Sequence, residues 1–593
     1  MRGFTRILFI AAAALGVTLA QPSLYSVVNS ASYDRSAIAQ GSLFVLFGYG
    51  MGPDTLVQAS SFPLPANLAG TSVRVVSGAT SLECPLVYTS STQVAAILPS
   101  KTPVGQASVF VTYNGRSSGG PDYYYGPFAN VVPSSVGIYT VNSQGTGPGV
   151  FTALDGSVND FVKTAKAGDI LTLWATGIGP ILGDDALPPE AGNVPGGEVY
   201  VGAQAAKVLY AGPSPCCAGL DQISFEMPPA ADSCFMPVVV RSGGIVSNAV
   251  TLSVNSQGGP CADAGQAVPS SIYTRAVNGQ NLKIATLVIG PLGLMARLGF
   301  DQRGYYAARL SAALHTTVSE RDATALWRAI EAHSRTGVRR AMWKYRKYWK
   351  VLDPKLRASL LEPPNLTQIA SSAGFGVLSN TSSAMALLAG VSPPTGACTI
   401  VQSIPVLRPA RSRALDAGPS LTVVGPAGQI AMPAVQGGQY QGLFGTSFNG
   451  PNVPPGSYTI TGNGGKDVGP FTASLNVGAS IVWTNRGSIP FLDQSQPLTV
   501  TWTGGAVTGH VLIGGYQSGS NEAGSARAFF CAEDTSKGTF SVPPVFLSTL
   551  KSTAGPVNLF IGQHPLERQI AIPGLDLAWF IDGSSDSVMV PLK

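Results

Sequence analysis

Gly41-Ser-Leu-Phe-Val-Leu-Phe-Gly-Tyr-Gly-Met-Gly-Pro53 recurs further along the chain as Gly168-Asp-Ile-Leu-Thr-Leu-Trp-Ala-Thr-Gly-Ile-Gly-Pro180. In both copies alternating apolar residues precede a Gly-x-Gly-Pro corner. Period-two alternation sends successive side chains to opposite faces, which reads as a strand with one face in a core. The corner ends the strand, because glycine supplies backbone angles that other residues avoid and proline donates no hydrogen bond.

The segments downstream of each copy repeat too. Gly70-Thr-Ser-Val-Arg-Val parallels Gly197-Glu-Val-Tyr-Val, and Gln93-Val-Ala-Ala-Ile-Leu-Pro99 parallels Gln222-Ile-Ser-Phe-Glu-Met-Pro228. A repeat with short strands and Gly/Pro turns, at about 110–125 residues per unit, predicts two Ig-like β-sandwiches in tandem. The expected limits are 22–132 and 133–256.

Composition agrees. The chain has 593 residues, enough for several cores, and is 45% hydrophobic but only 11% charged, with 70 Gly and 45 Pro. That mix suits strands joined by tight turns and disfavours a helical enzyme. The expected fold class is mainly β: the tandem sandwiches, a helical insertion in the middle, and two C-terminal β domains.

Asn29-Ser-Ala-Ser-Tyr33, Gly41–Gly48, Pro63-Leu-Pro65 and Ala175-Thr-Gly-Ile-Gly-Pro180 together resemble a family of uncharacterised secreted proteins common in soil bacteria. Its domain is a tandem of IPT/TIG-like folds, and the resemblance spans about 25–255. Ala414–Pro419, Pro455–Tyr458, Asp467–Phe471 and Leu498–Thr503 resemble the β-rich tail of some members. The resemblance implies fold and export. It implies no catalytic or binding residue.

Arg2 and Arg6, then the apolar run Ile7–Ala20 with small residues before Gln21, predict a Sec-type signal peptide over 1–20. No later run reaches the length of a membrane span. The expected location is extracellular, cell-surface or periplasmic. An oxidising compartment permits disulfides among the seven cysteines, and Cys216 or Cys217 with Cys234, and Cys398 with Cys531, are the expected pairs. The odd count leaves one thiol free or intermolecular. No CxxC pair or zinc spacing points to a metal, and no cofactor is expected.

A linker with a short apolar segment is expected over 257–296, then a basic helical insertion over 297–361. Between 291 and 360 there are 14 Lys/Arg against 5 Asp/Glu, a net +9 that leaves the rest of the chain at −4. At about 100° per residue, Val338, Met342, Tyr345 and Trp349 share a stripe. Arg339, Arg340, Lys344, Arg346, Lys347 and Lys350 cover the other face around Trp343, a pattern for a polyanion or an anionic membrane surface. The alternative is a solvated basic face. The apolar run Ile284–Ala296 just upstream slightly favours surface association.

Two β domains are expected at the C-terminal end, 372–484 and 485–593, with Trp502 inward from the strand Leu498–Trp502. Catalytic signals are thin. His315, His333, His510 and His564 have no partner at metal spacing, Ser548-Thr-Leu-Lys551 is an isolated SxxK, and Asp155–Asp160 begins like a calcium loop but meets Lys166 where a bidentate Glu belongs. The leading function class is non-catalytic binding or adhesion toward a glycan, a surface or a protein, with no nucleic acid expected. The alternatives are a structural envelope or matrix component and a hydrolase with an unrecognised site.

Overall fold

The computed structural model describes residues 21–119, 128–194, 196–262, 266, 268–278, 282–290, 293–298, 340, 343–345, 392–401, 415–426, 428–435, 439–442, 454–505, 509–517, 527–551, 555–564, 568–582 and 585–593. The chain is mainly β. The expected signal peptide lies outside the described residues, as do His315, His333 and most of the basic insertion.

The first sandwich packs two sheets. One runs, in spatial order, Ser23–Asn29, Leu43–Tyr49, Gln93–Ile97, Leu86–Thr89 and Val57–Gln58; the other runs Ile38–Ala39, Phe128–Val132, Gly105–Tyr113, Thr71–Ser77 and Asn67–Leu68. Phe44 and Leu46 of the opening stretch are buried with Val73, Val75, Val94, Val109 and Val111 from both sheets. In the second sandwich the repeated strand, Ile170–Thr176, pairs with Asp221–Glu226 as Leu43–Tyr49 pairs with Gln93–Ile97. Leu171, Leu173 and Ala175 face its core, and Ile178 takes the place of Met51. The sequence repeat is therefore a repeat of strand, register and burial.

The stretch expected to be a linker is instead built structure. Ser270–Val277 is a helix whose Tyr273 packs edge-on against Phe161 and Phe235 of the second sandwich. Arg275 binds Asp576 at 2.8 Å. Ile284–Gly290 and Gly293–Leu298 form a hairpin, so Arg297 and Leu298, expected to begin the helical insertion, end a strand. Ile284, Ala285 and Leu287 are buried, which removes the start of this apolar run from any surface role. The cause is pairing: Ile284–Gly290 lies parallel to Leu577–Asp582, and Gly293–Leu298 lies against Gln439–Gly442.

That pairing also redraws the C-terminal half, where a division near residue 484 was expected. One nine-stranded sheet joins this hairpin to Ser420–Gly425, Gly428–Val435, Gly456–Gly462, Phe471–Val477 and Leu577–Asp582. A second body joins Ala397–Val401 to Arg527–Asp534, His510–Gln517, Val557–Gln563 and Ser585–Val590, with Leu498–Thr503 and its neighbours stacked on it. Each body thus takes strands from both sides of residue 484. Trp502 does point inward, its Nε1 donating to Thr535 O at 2.9 Å. Val239 and Val246 of the second sandwich belong to the same core as Trp502, and Tyr200 meets Phe546 edge-on.

The structure joins Cys398 to Cys531 across the strand pair Ala397–Val401 and Arg527–Asp534. It corrects the other expected bridge: Cys234 pairs with Cys261, and Cys216 with Cys217. Cys216 and Cys217 precede the strand Asp221–Glu226, while Cys234 follows it. At about 3.3 Å per residue that strand carries the two sites to opposite ends of the sandwich. The unpaired thiol is Cys84, fully buried in the first core, so it has no access to a second molecule. Burial first, then the carboxylates of Glu83 and Asp185, push its pKa well above the ordinary thiol value.

Candidate functional site

The outer face of the first sheet carries a row of aromatic rings. Strand Leu43–Tyr49 turns Phe44 and Leu46 inward, so Phe47 and Tyr49 share the opposite face. Tyr49 lies 5.6 Å from Tyr25, centroid to centroid, and Phe47 lies 6.4 Å from Tyr33. Tyr25 is the open end of the row at 48% exposed, while Phe47, Tyr49, Tyr33 and Tyr88 are partly exposed. Gln93, opposite Phe47 in the register, donates to the Tyr88 hydroxyl at 2.6 Å. Burial pushes the Tyr88 phenol up to about 12, so it stays a protonated donor at ordinary pH. Val28, Val45 and Ala95 form the buried floor beneath Tyr33, Phe47 and Tyr88.

Tyr33 reaches the row through the Asn29–Tyr33 turn. Asn29 Oδ1 accepts from Ala31 N and Ser32 N at 2.9 and 3.1 Å, and Tyr33 N donates to Asn29 O. The turn holds Tyr33 at φ +58°. Its hydroxyl donates to Ser143 O of the second sandwich at 3.0 Å. Beside it, the Ser30 hydroxyl and the Tyr139 hydroxyl are 2.8 Å apart. The row therefore runs from open solvent into the joint between the sandwiches.

That joint is polar and closed. Thr176 Oγ1 accepts from Leu43 N at 2.8 Å and donates to Gly219 O at 2.7 Å. Asn29 Nδ2 donates to Ser135 O and Thr176 O. Asp221 is buried behind it and accepts from Ile178 N at 2.8 Å, holding the Gly-x-Gly-Pro corner. Burial raises its pKa to about 7, against backbone hydrogen bonds from Ile178 and Gly177 that lower it. Buried and hydrogen-bonded by backbone of the corner it holds, this carboxyl is a structural clasp.

The chemistry-bearing motifs resolve into local structure. Asp155 accepts from Ser157 N, and Asp160 from Val162 N and Lys163 N, so both carboxylates of the calcium-like stretch cap turns. Ser548 donates to Val545 O, three residues back. His564 Nε2 lies 2.9 Å from Ser392 Oγ, a pairing that sequence spacing did not show because the two residues are far apart in the chain. At 6% and 7% exposed, Ser392 and His564 have no open face for a substrate. Among the described residues no group of His, Cys, Asp and Glu is placed to hold a metal ion.

Of the basic insertion, Arg340, Trp343, Lys344 and Tyr345 are described. Trp343 is 68% exposed and Tyr345 4%, with Arg340 and Lys344 exposed beside the tryptophan. Lys344 Nζ stands 5.3 Å over the Tyr345 ring. Arg339, Arg346, Lys347 and Lys350 lie outside the described residues. No helix among the described residues is long and apolar enough to cross a membrane.

Sequence reasoning missed the aromatic row. Its signal was present in Phe47 and Tyr49, two apart on the outward phase of the deciding strand. Tyr25 and Tyr88 join through strand pairing, and Tyr33 through the Asn29–Tyr33 turn.

No protein-family model matches this chain, and no curated protein matches it in sequence. Solved structures similar to it include a structural genomics protein of unknown function from Bacteroides thetaiotaomicron, at 9% identity over 47% of this chain and 58% of that one, TM-score 0.14. The I9-I11 tandem of titin is similar at 8% identity over 44% and 71%, TM-score 0.12. The SGBP-B protein of the Bacteroides ovatus mixed-linkage glucan utilization locus, in complex with a heptasaccharide, is similar at 9% identity over 92% and 97%, TM-score 0.13. Superpositions this loose leave the fold resting on the strand pairing itself and bring no function to this chain.

Proposed function

We propose that this chain is an exported, non-catalytic binding protein whose tandem IPT/TIG-like sandwiches, 22–132 and 133–256, present the Tyr25–Tyr49–Phe47–Tyr33 row to an extracellular glycan. The carrying observation is the row itself: rings packed on one sheet face, open at Tyr25, with the Gln93 amide and the Tyr88 hydroxyl along its flank. Sugar rings offer an apolar C–H face and a rim of hydroxyls. Aromatic rings with amide and phenol groups beside them match both. The buried floor of Val28, Val45 and Ala95 holds Phe47, Tyr33 and Tyr88 in place before binding, which lowers their ordering cost. Disulfide-paired cysteines and the expected signal peptide fit an oxidising compartment.

The test is affinity electrophoresis of the mature chain through gels of neutral β-glucans, mannans and xylans. Retardation by at least one is expected, with Tyr25→Ala and Tyr49→Ala each weakening it about tenfold, since stacked aromatics contribute about 1–3 kcal/mol at binding hot spots. Equal retardation of wild type and both variants removes the row from the contact. No retardation in any gel overturns the glycan reading.

A second reading concerns the insertion, supported by the exposed Arg340–Trp343–Lys344 turn. We propose that it contacts an anionic surface, the cations supplying attraction and Trp343 the interfacial anchor. Trp343→Ala with Lys344→Glu is expected to abolish sedimentation with vesicles of one-third anionic lipid at low salt. Unchanged sedimentation leaves the turn as a solvated face.

A further inference from the structure

We infer that the adjacent pair Cys216–Cys217 is a thiol–disulfide exchange site that latches the joint between the two front sandwiches. The inference rests on where the pair sits and is independent of the glycan reading.

The pair lies in the loop between strands Gln204–Pro213 and Asp221–Glu226. Backbone bonds close this loop: Ser214 N donates to Leu220 O at 2.7 Å, Cys217 N to Ser214 O, and Leu220 N to Cys217 O. Two residues beyond Cys217 the chain enters the joint. Gly219 O accepts the Thr176 hydroxyl, and that same hydroxyl oxygen accepts Leu43 N of the first sandwich. Gly219 sits so close that a Cβ built on it would lie 2.3 Å from Ile97 Cδ1. The loop is therefore one wall of the joint, and its backbone path decides whether Gly219 reaches Thr176.

A disulfide between neighbouring residues closes a small ring through one peptide bond. That ring restricts the backbone angles of both cysteines and so the direction in which Ala218 and Gly219 leave them. Reduction opens the ring and returns those torsions. Access favours exchange at this pair over the other two. Cys216 is exposed and Cys217 partly so, whereas Cys398 and Cys531 are both buried and the third bridge joins buried Cys234 to partly exposed Cys261. Exchange requires an incoming thiolate to reach a disulfide sulfur.

The chemistry balances with an external dithiol as reductant. One thiolate of the dithiol attacks the exposed Cys216 sulfur, the Cys216–Cys217 bond breaks, and Cys217 leaves as a thiolate that takes up a proton. The second thiol of the reductant then attacks its own mixed disulfide, releasing Cys216 as a thiol. Two electrons have passed to the protein, and the reductant has become a cyclic disulfide.

The experiment uses the full mature chain, titrated with dithiothreitol, alkylated, and mapped by peptide mass spectrometry. Cys216 and Cys217 are expected to become alkylated at reductant concentrations at least about tenfold below those needed for Cys234, Cys261, Cys398 and Cys531. Labelling of Cys216 and Cys217 without reductant, or only together with the other two pairs, overturns the inference. The joint is read separately by amide hydrogen exchange at Leu43. Its exchange is expected to rise at least about threefold on selective reduction, and in the Cys216→Ser/Cys217→Ser variant without reductant. An unchanged Leu43 amide in the selectively reduced wild type overturns the latch, whatever the variant does.

Discussion

Ser100 of the first sandwich donates twice to Asp185 of the second: its backbone N–H to Oδ2 at 2.9 Å and its hydroxyl to Oδ1 at 2.6 Å. The same hydroxyl oxygen accepts Ile181 N at 2.9 Å. Gly41, which opens the first copy of the repeat, packs here against Gly179 and Pro180, which close the second. The two copies of one sequence motif thus meet head to tail, and Ser100–Asp185 clamps the meeting point.

Asp185→Ala leaves the Ser100 donors without their acceptor in a half-buried site. A loss of about 1–3 kcal/mol is expected, read as a lower urea midpoint for the front pair. Ser100→Ala keeps the backbone bond but also removes the acceptor of Ile181 N, so a comparable loss is expected. Equal midpoints for wild type and Asp185→Ala would show that the clamp is not formed in solution.

Asp221 gives the joint a pH dependence. Burial raises its folded-state pKa from 3.8 to about 7. A carboxyl raised on folding contributes stability that is complete below its unfolded value and is lost as pH rises through the folded one. The front pair is therefore expected to melt higher at pH 4 than at pH 8, as far as this group is concerned, with the loss spread between about 4 and 7. Asp221→Asn keeps an acceptor for Ile178 and carries no charge, so the difference in melting temperature between variant and wild type should grow with pH across that window. A difference independent of pH would mean that Asp221 is ionised throughout.

Gly219 and Gly78 separate contact from conformation. Both have positive φ, +72° and +57°, so alanine is strained at either. A Cβ at Gly78 meets nothing within 4 Å, while one at Gly219 meets Ile97 across the joint. Gly219→Ala is expected to lower the thermal midpoint of the front pair well beyond Gly78→Ala. Equal shifts would place the loop away from Ile97.

Cys398 and Cys531 close a loop of 133 residues that contains much of the C-terminal half. Replacing both by alanine removes a constraint on the unfolded chain worth about 3–5 kcal/mol by loop entropy. The expected readout is a lower denaturant midpoint for the C-terminal bodies, with the front pair unchanged. Unfolding of the front pair in step would show that the shared core of Val239, Val246 and Trp502 couples the two halves into one transition.

Much of the β architecture was legible in the chain. Strand Leu498–Thr503 lies within a residue of where alternation put it. The inward Trp502 followed from its phase. The row of rings was half legible, since Phe47 and Tyr49 share a phase on one strand. Tyr25, Tyr33 and Tyr88 come from a bulged strand, a left-handed turn and a strand two places away in the sheet.

By itself the sequence determined the strands, their buried faces and the repetition of one unit by another, because the pleat imposes a local period that side chains must satisfy. Only the tertiary structure decided which edges meet. Ile284–Gly290, apolar but for Thr286, reads equally as a linker's greasy patch or a strand, and Leu577–Asp582 beside it makes it a strand. Cys234 chooses Cys261 over nearer-looking partners because a strand carries Cys216 and Cys217 to the far end of the sandwich. Ladder hydrogen bonds and disulfides depend on where distant segments arrive, and no local pattern encodes that arrival.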